Sequence, residues 1–276
     1  MATKSPDPLE AALNWESSEV AERRSRGRAR RAELQGPATQ MMLDLAEVRT
    51  GSRVLDVAAG TGDQTLVAAQ RVGPTGYILA TDVSASMLKL AADAAQEAGF
   101  TNVETRVMNA ENIDLDADSF DAVICQLGLF LFPNAARVLQ AMRRVVRPGG
   151  KVAALVFSTA EKNPYQGIPL SVARRFGSTP LPLFSLGEMD LLENTFKESG
   201  LRDVTIRALS LSRRFSSTAE MIQRLKETAF LRGPIEKLGE AEREKAWAEI
   251  EHQFRQLEEP NGIEVPGEFL VGVGTK

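Results

Sequence analysis

The stretch Val54-Leu-Asp-Val-Ala-Ala-Gly-Thr-Gly-Asp63 decides how the rest of this chain is read. Val54, Leu55 and Val57 end an apolar run of the kind found in strands buried on both faces, and a helical pattern opens near Gln64. Between them, Ala58 to Gly62 supply only small residues and one threonine. A strand that runs through such a turn into a helix predicts a parallel α/β unit with a nucleotide pocket. The turn lets a ligand approach the backbone closely, and the first helical N–H groups are unpaired donors at its rim.

Spacing narrows the ligand. The dinucleotide pattern G-x-G-x-x-G needs a third glycine where Thr65 stands, and the order here is Ala58-x-Gly60-x-Gly62, which argues against NAD. Working outward, Gly73-Pro74-Thr75-Gly76 turns the chain into a short strand, Tyr77 to Ala80, that ends at Asp82. An acid about 20 residues past the turn is where nucleotide-binding α/β folds place the carboxylate for ribose hydroxyls. Ser84 is available to cap the next helix, Ser84 to Ala98, which leaves Asp82 for a ligand. A third strand over Asn102 to Val107 leads into Met108-Asn109-Ala110-Glu111-Asn112. A fourth, Ala122 to Cys125, releases Gln126 to Asn134 at the strand's carboxyl end, where open sheets bind ligands. Phe130 and Phe132 suit core packing and a substrate wall equally, and Cys125 reads as a buried inert thiol. A helix over Ala135 to Val146 is broken by Arg147-Pro148-Gly149-Gly150 before the strand Lys151 to Phe157.

Three strings together carry a family resemblance. Asp56-Val-Ala-Ala-Gly-Thr-Gly-Asp63, Asn109-Ala110-Glu111 and Arg143-Arg-Val-Val-Arg-Pro-Gly-Gly-Lys151 resemble the class I S-adenosylmethionine (SAM) methyltransferases. The ubiquinone/menaquinone C-methyltransferases and related small-molecule enzymes are the most similar. The resemblance is close from Val54 to Phe157 and looser beyond. It implies an α/β fold with a Rossmann-like seven-stranded, mostly parallel sheet, helices on both faces, an antiparallel last strand and a helical lid. It also implies SAM as cofactor, with transfer of a methyl group to a small molecule. Asp56 would support the turn and the methionyl amine; Ala58, Gly60, Thr61 and Gly62 would face the methionine and ribose; Asp82, Val83 and Met87 would hold the ribose side. Asn109, Ala110 and Glu111 would read the adenine, and Gln126 and Leu127 would face the methyl donor. One departure stands out: the quinone enzymes' Phe-Gly-Leu-Arg-Asn type segment is replaced by Leu127-Gly-Leu-Phe-Leu131, so a quinol acceptor is not implied.

The flanks read as follows. Pro8 to about Gln35 is polar and helix-prone, with Leu9, Leu13, Trp15 and Val20 as sparse apolar positions. Within it, the run Arg23 to Arg31 reads as a solvated helix face. Gly36-Pro37 punctuates, and Ala38 to Val48 returns to helical spacing. After Phe157, Ser158 to Ser185 with four prolines reads as an irregular pocket wall in which Asn163 and Tyr165 are candidate polar contacts. A helix over Leu186 to Ser199, a strand over Val204 to Leu211, charged helices from Thr218 to about Leu257 and a closing strand over Glu268 to Gly274 follow, the two strands pairing antiparallel. The expected organisation is an N-terminal helical cap over 1–50, a SAM-binding domain over 51–211 and 265–276, and a helical lid over 212–264.

Composition bounds the function. The 276 residues, 43% hydrophobic and 25% charged, suit a globular α/β domain with elaborations, and a net charge of -4 supplies no global field for a nucleic-acid backbone. A small-molecule substrate, no nucleic acid, no membrane span, a cytoplasmic location and a monomer or homodimer are expected. One cysteine and one histidine leave no metal site in prospect. Methyl transfer from a sulfonium rests on in-line positioning, so a base is optional; His252, on a charged helical surface, and Tyr165 are the candidates for one. A SAM-binding protein that does not methylate, and an RNA methyltransferase resting on the arginine run alone, are the alternative readings.

Overall fold

Near-continuous runs of valine, isoleucine, leucine and alanine are stable as strands only where helices cover both faces of the sheet. The structure, a computed structural model, describes residues 17–276 and builds them around such a sheet. Its strands are β1 (Arg53–Val57), β2 (Tyr77–Asp82), β3 (Val103–Val107), β4 (Phe120–Gln126), β5 (Val146–Phe157), β6 (Arg202–Phe215), β7 (Glu258–Glu259) and β8 (Gly262–Thr275). The order is β3-β2-β1-β4-β5-β8-β6, with the two-residue β7 on β8. β1 to β5 pair parallel, and β8 runs antiparallel to both β5 and β6. β6 therefore points the same way as β5, and its carboxyl end lies on the same edge as theirs. The order reverses at β1, between β2 and β4, which opens the ligand crevice of such folds. The expected mostly parallel sheet with an antiparallel closing strand is what forms; β6 and β8 are longer than the sequence pattern alone delimits.

The helices are α1 (Ser18–Arg26), α2 (Arg28–Leu45), α3 (Asp63–Val72), α4 (Ala85–Glu97), α5 (Ala135–Val145), α6 (Pro164–Arg175), α7 (Met189–Glu198), α8 (Thr218–Glu227), α9 (Ala229–Glu236) and α10 (Glu240–Arg255). Leu9, Leu13 and Trp15, read above as part of a helix, lie outside the described residues. Among the described residues, no helix is long and apolar enough to cross a membrane.

Two local readings are corrected. Gly36-Pro37 does not end a helix: α2 runs through both residues and the break falls at Gly27. Ala38, Met42 and Leu43 are fully buried, and docking that face on the core outweighs the hydrogen bond that Pro37 removes. The segment after Phe157 is not irregular throughout, because α6 occupies Pro164–Arg175. Pro164 takes the first helical position, where its fixed φ fits and its missing N–H is not needed. Tyr165, Leu170, Val172 and Ala173 bury the helix against the sheet.

Candidate functional site

β1 delivers the site's frame. Asp56 is wholly buried, with Oδ1 accepting from the Gln64 amide at 3.0 Å and Oδ2 from the Thr65 hydroxyl at 2.6 Å. Those donors come from the first turn of α3, so Asp56 ties the strand to the helix across the turn. Burial pushes its carboxyl up to about 7, against the pull of the Thr65 and Gln64 hydrogen bonds. Enclosed in this way, Asp56 supports the turn and does not face a ligand. Ala58, Gly60 and Gly62 all have left-handed backbone, at φ 56°, 55° and 81°. At Gly62 a Cβ would come within 2.8 Å of the Ala91 Cβ on α4, so only glycine lets the two helices close there.

Asp82 ends β2 and faces this turn. Its Oδ2 accepts from the Gly60 N–H at 2.8 Å and its Oδ1 from the Ser84 N–H at 2.9 Å. Burial raises its pKa, partly offset by those two backbone donors. Ser84 caps α4 by accepting from the Met87 N–H at 3.2 Å, as its position suggested. Val83 is exposed beside Asp82, whereas Met87 is buried in the first turn of α4. On the next loop the exposed Asn109 accepts at Oδ1 from the Glu111 N–H at 2.9 Å; Ala110 is buried and Glu111 half-buried.

Gln126 stands at the carboxyl end of β4, 7% exposed. Its Oε1 accepts from the Thr39 hydroxyl at 2.8 Å and its Nε2 donates to Gln35 Oε1 at 3.3 Å, so α2 is clipped to this point. Leu127 has φ 52°, and at Gly128 a Cβ would meet the Ala58 Cβ at 2.8 Å. The β4 exit and the glycine turn are therefore packed directly together. Phe130 lies 6.1 Å from Phe157, which in turn lies 5.3 Å from Phe269; all three are buried, so Phe130 is core. Cys125 is an enclosed thiol, pushed up to about 12 by burial.

The arginine run overturns its reading as a solvated face. Arg28 and Arg31 pair with Asp63 at 3.2 and 2.6 Å, and Arg28 also donates to the Thr61 carbonyl at 2.6 Å. Burial alone would raise the Asp63 carboxyl, yet Arg31, Arg24 and Arg28 hold it below its ordinary value. Arg24 is half-buried over the turn, its Nε 3.5 Å from where a Gly60 Cβ would be, in the field of Asp63 and Asp82. Burial and the Arg31 charge lower its pKa. No local signal marks these contacts: Arg28 and Asp63 are 35 residues apart, and the polar composition of α1 fits solvent equally well.

The remaining candidates part company. Tyr165 is 4% exposed and stacks on Phe215 at 5.8 Å with the rings 4° from parallel, and burial raises its hydroxyl pKa. His252 is exposed on α10 beside Gln256 at 3.2 Å, away from the turn. Asn163 is structural: its side chain bonds the Thr159 carbonyl and both the N–H and C=O of Glu268 on β8, each at 3.0 Å. Among the described residues, no three His, Cys, Asp or Glu side chains gather as a metal site.

Known proteins resemble this arrangement. Residues 38–171, which hold the glycine turn, Asp82, Asn109 and Gln126, match the ubiE/COQ5 methyltransferase family. The ubiquinone/menaquinone biosynthesis C-methyltransferase UbiE of Pseudomonas savastanoi pv. phaseolicola is 41% identical over 117 residues, 42% of this chain and 46% of that protein. The chain thus spans about half the length of the curated relatives it matches. The solved YcgJ protein of Bacillus subtilis superposes with a TM-score of 0.61 at 19% identity, covering 87% of this chain and 98% of that one. A SAM-dependent methyltransferase from Aquifex aeolicus gives 0.52 at 19% identity, covering 74% and 92%. Over residues 38–171 the chain is thus similar in sequence to the ubiE/COQ5 methyltransferase family, and the sheet built on them has the fold of the solved YcgJ protein and the Aquifex aeolicus SAM-dependent methyltransferase.

Proposed function

We propose that the chain binds SAM across the turn between β1 and α3 and transfers its methyl group to a small-molecule acceptor. The observation that carries this reading is the carboxylate of Asp82 bonded to the Gly60 N–H at 2.8 Å, above a turn whose left-handed residues keep side chains out of the crevice. A carboxylate so placed accepts from vicinal ribose hydroxyls, the backbone around Gly60 accommodates the methionyl chain, and Val83, Asn109 and Ala110 border the adenine. Gln126 and Leu127 border the donor carbon. The methyl carbon is activated by its sulfonium, so the protein's part is alignment and exclusion of water.

In this reading α1 and α2 are a cap over the cofactor and α8 to α10 a lid over the acceptor. Arg24 fills the space over Gly60, and cofactor entry displaces it. Arg28 and Arg31, two arginines of the run that alone suggested RNA as substrate, are committed to Asp63 within the protein. The test is incubation of the purified chain with methyl-labelled SAM and cell extract: label appearing in a small organic product supports transfer, and SAM that binds but never loses its label sinks it.

A further inference from the structure

Arg213 and Arg30 stand together at the sheet's carboxyl edge, where neither guanidinium has a carboxylate in ion-pair contact among the described residues. Arg213 lies two residues before the end of β6, its guanidinium 4.3 Å from the centre of the Tyr165 ring. Arg30 reaches in from α2, 5.6 Å from the centre of the Phe215 ring. Tyr165 and Phe215 are the stacked pair beneath, contributed by α6 and the last residue of β6. A cavity of about 310 Å³ opens beside this pair, bordered by Arg30, Arg213 and Phe215, with Tyr165 buried behind Arg213 and Phe215.

Two cations held side by side in a half-buried place repel each other. Burial and the Arg30 charge both lower the Arg213 pKa. An aromatic face offsets this only in part, because a ring quadrupole attracts a cation without neutralising it. The acids in reach make no ion pair with either guanidinium: Glu33 is exposed at the cavity rim, and Glu220, whose charge Arg30 feels, has Oε2 accepting from the N–H and hydroxyl of Ser216 at 2.9 and 2.8 Å and Oε1 3.8 Å from Arg224. An oxyanion between the two guanidiniums would remove the repulsion and meet the planar forks that suit carboxylate and phosphate. The position is on the acceptor's side: β6 ends on the same edge as β4 and β5, and the helix that carries Arg30 also carries the Thr39 that bonds Gln126.

We propose that Arg30 and Arg213 clamp the oxyanion of a small acidic acceptor, a carboxylate or a phosphate, in the cavity beside Phe215. The proposal rests on the methyltransferase reading only in naming the anion's carrier as the acceptor. The test is calorimetric titration of the full chain, saturated with S-adenosylhomocysteine, with benzoate, phenyl phosphate and neutral benzamide. At least one anion is expected to bind and benzamide is not; the tighter of the two anions identifies the group. Arg30→Gln should weaken the anion about tenfold and Arg30→Lys less, with the thermal midpoint and S-adenosylhomocysteine affinity retained. Arg213→Gln should do the same, and since Arg213 also packs on Tyr165, its melting is recorded alongside; Arg30→Gln carries the test if that variant does not fold. Benzamide binding as well as the anions, no saturable anion binding, or full anion affinity in well-folded Arg30→Gln would each overturn the clamp. Failure of the wild type to bind S-adenosylhomocysteine would instead sink the cofactor reading, and the anion titration is read without it.

Discussion

The crevice between β1 and β4 and the cavity beside Phe215 lie along one edge of the sheet but differ in charge and in how they are made. The first is lined by carboxylates, Asp63 and Asp82, and shaped by backbone: left-handed residues at 58, 60 and 62 and paired N–H groups. The second is lined by arginines and shaped by side chains from three distant elements. A site shaped by backbone suits one fixed, cationic ligand, as a sulfonium is; one shaped by side chains can be retuned for another acceptor by changing a few residues.

The contrast breaks most visibly at the glycines. Gly62→Val places a branched side chain at φ 81° with its Cβ at 2.8 Å from Ala91 Cβ and 3.2 Å from its Cα, which forces α3 from α4. A loss of about 3 kcal/mol or more is expected by urea denaturation. Gly60→Val meets the Arg24 guanidinium, at 3.5 Å from Nε and 3.9 Å from Nη2, so the variant should fold with a loss of about 1 to 2 kcal/mol yet fail to bind SAM. Retained SAM affinity in that variant would remove the close-approach argument.

Asp56 gives the next effect. A carboxyl whose pKa rises from 3.8 unfolded to about 7 folded stabilises the fold only while protonated. Its contribution is complete below about pH 4 and is lost as the pH rises to about 7, the unfolded chain releasing the proton first. Denaturation between pH 5 and pH 8 should show stability falling by roughly 2 to 4 kcal/mol from this group. Asp56→Asn, which can still bond Gln64 and Thr65, should flatten that slope, and an unchanged slope would assign it elsewhere.

Asp82→Ala removes the acceptor of the Gly60 N–H and the proposed ribose contact together. SAM affinity should weaken by roughly 1 to 3 kcal/mol in calorimetry. Unchanged affinity would take the ribose away from Asp82 and leave it as a clasp for the turn.

Legibility in the sequence followed the same division. The turn and the Ser84 cap were legible because each depends on residues within a few positions of one another, and the place of Asp82 at the end of β2 because it follows a short apolar run; Arg147-Pro-Gly-Gly150 was misplaced as a break before a strand from Lys151, since β5 begins at Val146 and runs through it. The clip of Thr39 on Gln126 spans 87 residues, and the cluster of Arg30, Tyr165 and Arg213 joins α2, α6 and β6. No local periodicity encodes such meetings. Asn163 was misread for the same reason: its partners on β8 lie 105 residues on, and an asparagine beside a proline reads as a loop until that strand is in place.

The smallest effect concerns Arg24, which with Arg28 and Arg31 brings basic side chains onto the acidic crevice. Arg24 lies over Gly60 between Asp63 and Asp82, and its like-charged neighbour Arg31 makes its partial burial costly. An incoming sulfonium is repelled by that guanidinium and attracted by the carboxylates it covers, so Arg24 acts as a placeholder whose departure precedes binding. Arg24→Ala should then raise the association rate of SAM several-fold in stopped-flow measurements and shift the equilibrium by less than about 1 kcal/mol. A slower association would reverse its role, making Arg24 a guide that holds the methionyl carboxylate, and would place one basic side chain within the cofactor's half of the edge.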